Sequence, residues 1–292
     1  MLEFVSRISI VCFAASYAVA LACEASRLLF RSGIRGAVMV AFATAGLVAH
    51  TAFLLWRAAS AAAVPLSSPY DWYLLAAWLL AAGSLALTIA TPRTPVGLFI
   101  LPVVLGLIGA ATLSSREPFP QTPATQVWGA IHGSFNLAAS LAVAVGAVAG
   151  LMWLFQAGRL ARKQAPMRGF RMPSLERLSR TIAHATTWAA WTAAAGFTSG
   201  IVLNAVNRRH GLLETVPWND PVVLRMAALV LWLVIAAVVA RVVRRRPGGA
   251  RTTAWLSLVS FAVLTGSILW GVFGPTRHGV PPAPPAVSEA AR

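Results

Sequence analysis

Apolar residues in this chain come in long blocks, each about as long as the 20 residues that carry a helix across a hydrocarbon core. Eight such blocks stand at roughly 5–24, 36–56, 72–90, 96–113, 127–156, 181–206, 221–243 and 252–273, separated by short segments rich in Pro, Ser and Arg. Lipid offers the backbone no hydrogen-bond partner, so each block must be a helix or a strand of a closed barrel. Barrel strands alternate and last only about ten residues. The blocks do neither, and the expected fold is an all-α membrane protein, a polytopic bundle of about eight transmembrane helices forming one domain over residues 1–278. The fifth block is too long to lie wholly in a bilayer, so one end projects or the helix tilts strongly. From Gly279 the Pro/Ala-rich stretch VPPAPPAVSEAAR reads as a disordered tail. No polar cleavage region follows the first block, which therefore reads as a retained span.

Composition agrees: 58% hydrophobic against 11% charged residues excludes a soluble domain. The net charge of +16 would suggest nucleic acid in a soluble chain, but the cations sit in short loops between blocks, where orientation in the membrane explains them. Loops after blocks 1, 3, 5 and 7 hold sixteen Lys/Arg, seven of them between Arg159 and Arg180, and the opposite face holds eight. That bias puts the 157–180 loop in the cytoplasm and both termini on the outer face. His132 at the start of block 5, the polar segment Asn207–Pro221 and His278 past block 8 then share the outer side.

Candidate chemistry concentrates there. The segment NRRHGLLETVPWNDP holds His210, Glu214, Trp218 and Asp220. His132, in WGAIHGSFN, is a neutral nitrogen donor at a membrane boundary and suits haem iron; the plainer alternative is an interfacial His bonded to a loop carbonyl beside a Trp128 anchor. His278, in GPTRHG, is a second outer imidazole or a solvated loop residue, and Arg277 offers a guanidinium fork to a propionate. Trp218 can present an aromatic face to a macrocycle or anchor at the interface. Asp220-Pro221 has the form of a helix cap followed by Pro at the first position. His50 stands inside block 2, where an ionisable group marks a functional site or a bond to a neighbouring helix. His184 and His210 read as structural or solvated. Cys12 and Cys23 form neither C-x-x-C nor C-x-x-C-H, so no redox pair or haem-attachment site is encoded. Gly196 and Gly200 form a G-x-x-x-G, a mark of close helix packing. Pro173-Ser174-Leu175-Glu176 and the acid Asp71 mark helix starts. No nucleophile elbow, phosphate loop or carboxylate dyad is present.

These residues carry a resemblance. The stretches GLVAHTAFLLWRAASAAAVPLSSPYDWYLLAAWLLA, TPVGLFILPVVLGLIGAA, WGAIHGSFNLAASLAVAVGAVAGLMWLFQAGRLARKQ and PSLERLSR, with GFTSGIVLN, are similar to successive spans of the cytochrome c assembly proteins of the CcsA/ResC and HemX-like group. The resemblance covers most of residues 36–278. It implies an eight-span protein that handles haem at the outer face of a bacterial inner membrane. It further implies that His132 and His278 match the two outer histidines proposed as iron ligands, and that 207–221 matches the haem-presenting Trp-rich loop. Haem, an apocytochrome c and a second membrane assembly subunit are the implied partners, beside the lipid bilayer and without nucleic acid. Cofactor contacts are expected from His132, His278, Trp218, Asp220, His50 and Arg277. Such a chain presents haem as a non-catalytic subunit.

The sequence also departs from that pattern. Asn219 is inserted between Trp218 and Asp220, Val222 and Val223 replace an expected Lys-Glu pair, and Ala240 and Arg241 stand where a late His of span 7 is expected. These losses support an alternative, a HemX-like non-catalytic regulator or scaffold that has lost haem handling. A small-solute transporter is the third option, weakened because only His50 lies inside a span.

Overall fold

Every apolar block winds into one helix. The computed structural model describes residues 9–29, 33–60, 66–119, 123–164, 171–209 and 216–273. They form α1 (Ile10–Leu29), α2 (Gly33–Ser60), α3 (Pro69–Ala90), α4 (Val96–Leu113), α5 (Pro123–Ala161), α6 (Leu175–Arg209), α7 (Pro221–Val243) and α8 (Gly249–Phe273), with no strand among the described residues. Seven of the eight are long and apolar enough to cross a bilayer; in α1 the apolar stretch Ile10–Ser26 is shorter. The protein is therefore a membrane-embedded helical bundle. At 39 residues α5 is about 58 Å long, nearly twice the ~30 Å hydrocarbon thickness, so it extends beyond the core as its length required. It begins at Pro123, a few residues ahead of the expected boundary. Proline is tolerated in a first turn because its missing N–H has no intrahelical partner there.

Local chemistry fixes the helix starts. Ser68 caps α3, its hydroxyl accepting from the Asp71 N–H at 3.3 Å with Pro69 in the first turn. The Asp71 carboxylate also takes the Ser68 hydroxyl at 2.8 Å and pairs with Arg57 from the end of α2. Arg57 and Arg116 lie over the Tyr70 ring at 4.7 and 5.0 Å, which ties α2, α3 and the segment after α4 together. Asp220 caps α7 by accepting from the Val222 N–H at 2.8 Å, with Pro221 next in line. Ser174 does the same for α6, accepting from the Arg177 N–H at 3.2 Å.

Sequence neighbours run antiparallel. Arg225 of α7 meets Ser267 of α8, and seven residues on Trp232 meets Ser260, seven residues back. Thr51–Trp78 and Arg57–Asp71 register α2 against α3 in the same sense. Two half-bundles result. In the first, α1–α4 close over Phe13, Tyr17, Leu74, Val104 and Ile108. In the second, α5–α8 close over smaller residues, with Ala139, Ala189, Ala193 and Leu233 in one cluster and Met152, Trp153, Ile182 and Ala254 in another.

Small residues govern that second half. A Cβ at Gly196 would meet Asn136 Oδ1 at 2.9 Å, and one at Gly200 would meet the His132 ring at 2.9 Å. Gly150 likewise abuts Ser257 and the Ala254 backbone of α8. Apolar tails compete equally for apolar side chains, so helices in lipid associate through such close van der Waals contact and buried hydrogen bonds. Gly200→Val, which overfills the contact, is expected to cost about 1–3 kcal/mol of bundle stability. Gly106→Ala, which meets nothing within 4 Å, is expected to be neutral or mildly stabilising. Equal midpoints for the two variants in detergent unfolding titrations would refute the packing argument.

Candidate functional site

His132 sits on α5 facing α6, half-buried, with both ring nitrogens engaged. Its Nδ1 lies 2.8 Å from the Gly196 carbonyl oxygen, which can only accept, so Nδ1 carries the proton. Nε2 then holds a lone pair and receives the Asn136 amide at 3.0 Å. Asn136 is one turn further along α5, and its amide nitrogen also donates to the His132 carbonyl at 2.9 Å. Ser199 Oγ donates to the same Gly196 carbonyl at 2.7 Å and lies 3.4 Å from His132 Nδ1. The G-x-x-x-G of α6 is thus a seat for the His132–Asn136 pair. A larger residue at Gly196 or Gly200 would remove the room that lets an imidazole reach a helix carbonyl.

His132 and Asn136 line a cavity of about 190 Å³ between α5, α6, α7 and α8, with Tyr73 reaching in from α3. Tyr73, His132, Asn136, Ser140, Arg225 and Ser267 supply its polar groups, while Leu229, Leu233 and Leu264 belong to its apolar wall. Arg225 is in the second turn of α7; its Nε and Nη1 donate to the Pro221 and Ser267 carbonyls, each at 3.2 Å.

The segment before α7 is pinned to the end of α6. Asn204 donates its amide to the Val216 carbonyl at 2.9 Å and accepts the Val216 N–H at 3.0 Å. Trp218 is half-exposed, and the Arg208 guanidinium lies 5.3 Å above its ring. The aromatic face expected to meet a macrocycle therefore already carries a cation. Asp220 is buried and serves as the α7 cap, as its sequence context required.

His50 belongs to a different place. It is fully buried between α1 and α2, stacked on Phe13 with centroids 4.2 Å apart and planes 3° from parallel. Tyr17 Oη lies 3.4 Å from its Nδ1, and its Nε2 has no hydrogen-bond partner among the described residues. It does not line the His132 cavity, and neither do Trp218 and Asp220. His184 is exposed. His210, Glu214, Arg277, His278 and the tail from Gly279 lie outside the described residues. Cys12 and Cys23 are free thiols, and no cluster of three or more His, Cys, Asp or Glu side chains able to hold a metal occurs among the described residues.

No family model, curated protein or solved structure matches this chain. The cavity brings in residues that sequence reasoning passed over: Asn136, Tyr73, Arg225 and Ser267. Asn136 carried a readable signal, the i, i+4 spacing from His132 that puts both on one helix face. Arg225 entered the reading only as one charge in the orientation tally. Asp220→Ala, which removes the α7 cap, is expected to cost about 1 kcal/mol of stability. Asp220→Ser should keep most of it. Identical thermal stability of Asp220→Ala and the parent would contradict the capping role.

Proposed function

We propose that this chain is a membrane component of c-type cytochrome biogenesis that binds haem at the His132 end of the bundle and presents it to an apocytochrome, with His278 as the second histidine that would hold it. The observation that supports this best is the His132 tautomer. The Gly196 carbonyl holds the proton on Nδ1, leaving Nε2 as the free-base nitrogen a metal requires, the arrangement in which a backbone acceptor orients a ligating imidazole. The resemblance of residues 36–278 to cytochrome c assembly proteins supports the same reading. It also implies a site on the outer face of a bacterial inner membrane, beside a second assembly subunit.

The residues fit one end of such a site. His132 supplies a nitrogen of the right protonation, and among the described residues its hydrogen-bond partner there is the Asn136 amide. The cavity, at about 190 Å³, is below the roughly 300–1,000 Å³ of a pocket that encloses a drug-sized molecule, so it does not engulf a porphyrin. Haem would be the cargo, bringing the iron porphyrin that the apocytochrome receives. The side chains of this chain hold and orient it, and none needs to form a covalent bond.

One observation favours a second reading. Asn136 satisfies Nε2 and Arg208 covers Trp218, which is also how a scaffold that no longer handles haem would close its site on itself. Absorption spectra of the detergent-purified protein, with and without reductant, separate the two. Haem handling predicts a Soret band that shifts on reduction and is lost in a His132→Ala, His278→Ala double variant. Asn136→Leu, which clears Nε2, should keep or raise haem occupancy. A wild-type protein purified from haem-replete cells with no Soret band, or a double variant with wild-type haem content, would sink the haem reading; the first result is what the scaffold reading requires.

A further inference from the structure

We infer that the cavity between α5, α7 and α8 is a binding site for an acidic amphiphile, whose carboxylate or phosphate group pairs with Arg225 and whose apolar body enters among Leu229, Leu233 and Leu264. The argument starts from where Arg225 is. A cation near a helix start faces the positive end of the helix dipole, so stability of α7 does not call for one there. Arg225 lies in the second turn of α7, is partly buried, and has no acid within ion-pair distance among the described residues. Its two hydrogen bonds are to neutral carbonyls, at 3.2 Å each. A guanidinium has five N–H donors, so most of its donor capacity and all of its charge are uncompensated by those contacts.

The surroundings match that charge with space. Arg225 lines the cavity of about 190 Å³ together with Tyr73, whose phenol can donate to an anion. The rest of the wall is mostly apolar. A void of about 150 Å³ lined by aliphatic side chains takes up a benzene-sized solute, so the volume here admits part of an apolar body once the acid group is anchored. A neutral solute would leave the arginine as it is. An acid would convert it into a charge-assisted, desolvated pair, the stronger class of hydrogen bond.

Two sources share this chemistry: the propionate edge of a porphyrin and the acid group of a lipid. The porphyrin form rests on the haem reading above; the lipid form does not. Neither requires iron ligation. The full chain in neutral detergent is titrated with iron-free protoporphyrin IX and its dimethyl ester, and separately with a brominated stearic acid and its methyl ester, following quenching of tryptophan fluorescence. The inference expects the free acid to bind at least about tenfold more tightly than its ester in one pair or both. It expects Arg225→Gln to bring the acid to the level of the ester and Arg225→Lys to keep part of the preference. Preference in the porphyrin pair alone identifies a haem-type cargo, in the stearate pair alone a lipid, and in both a general acid site. Should Arg225→Gln not fold, Ser140→Phe, which fills the cavity from α5 and leaves Arg225 in the sequence, must weaken binding of the preferred acid. Acid and ester binding within about twofold of each other in both pairs, or an acid preference untouched by these variants, overturns the inference. Since the probes lack iron, this outcome is independent of whether the protein shows a Soret band.

Discussion

Close approach of α5 to α6 is the constraint on which the second half of the molecule depends. Helices in lipid gain little from exchanging hydrocarbon for hydrocarbon, so a stable pair needs backbones near enough for dense contact and for hydrogen bonds that lipid cannot replace. Gly196 and Gly200 provide the nearness, and His132 and Asn136 use it. The imidazole reaches a helix carbonyl on the neighbouring span only because no side chain stands between them. Packing and chemistry are therefore the same contact here, and the protonation pattern of His132 follows from helix geometry rather than from a charged neighbour.

The two halves treat buried polarity differently. In α1–α4 much of it pairs within the structure: Asp71 takes Arg57 and the Ser68 hydroxyl, and Trp78 donates to Thr51. In α5–α8 polar groups converge on a void that side chains do not fill. Large residues such as Phe13, Tyr17 and Leu74 pack the first core, whereas alanines dominate the second. A core of small residues joins helix pairs tightly but leaves space where three or more helices meet, and the cavity forms at such a junction.

The sequence showed the bundle plainly and the site only in part, for physical reasons. Helix number and extent follow from apolar block length, and Asp71, Ser174 and Asp220 mark their helix starts because such signals act within one turn of chain. The G-x-x-x-G was readable as a contact, yet its partner lies 64 residues away from Gly196 at His132, and no local pattern records a pairing of that range. Trp218 was readable as an exposed aromatic, but not the Arg208 above it, since residues on either side of a loop meet only after folding. Arg225 shows the limit most clearly: as a letter it is one of many arginines, and its character comes from having no acid within ion-pair distance among the described residues.

Asn136 decides how the candidate site should be understood. Its amide occupies His132 Nε2, which at first sight disqualifies the imidazole as a ligand. The magnitudes argue otherwise. A neutral hydrogen bond contributes about 0.5–1.5 kcal/mol net, whereas loss of a partner that orients a metal-bound imidazole typically costs 10–100-fold in affinity, about 1.4–2.7 kcal/mol. Breaking the Asn136 contact is thus the smaller effect, and keeping the Gly196 contact is the larger. Asn136 also retains the His132 carbonyl as an acceptor when it releases the ring, so its amide is not left unsatisfied. An asparagine placed this way holds the imidazole in register and yields to a stronger partner at little cost, as the proposed handling of haem would require.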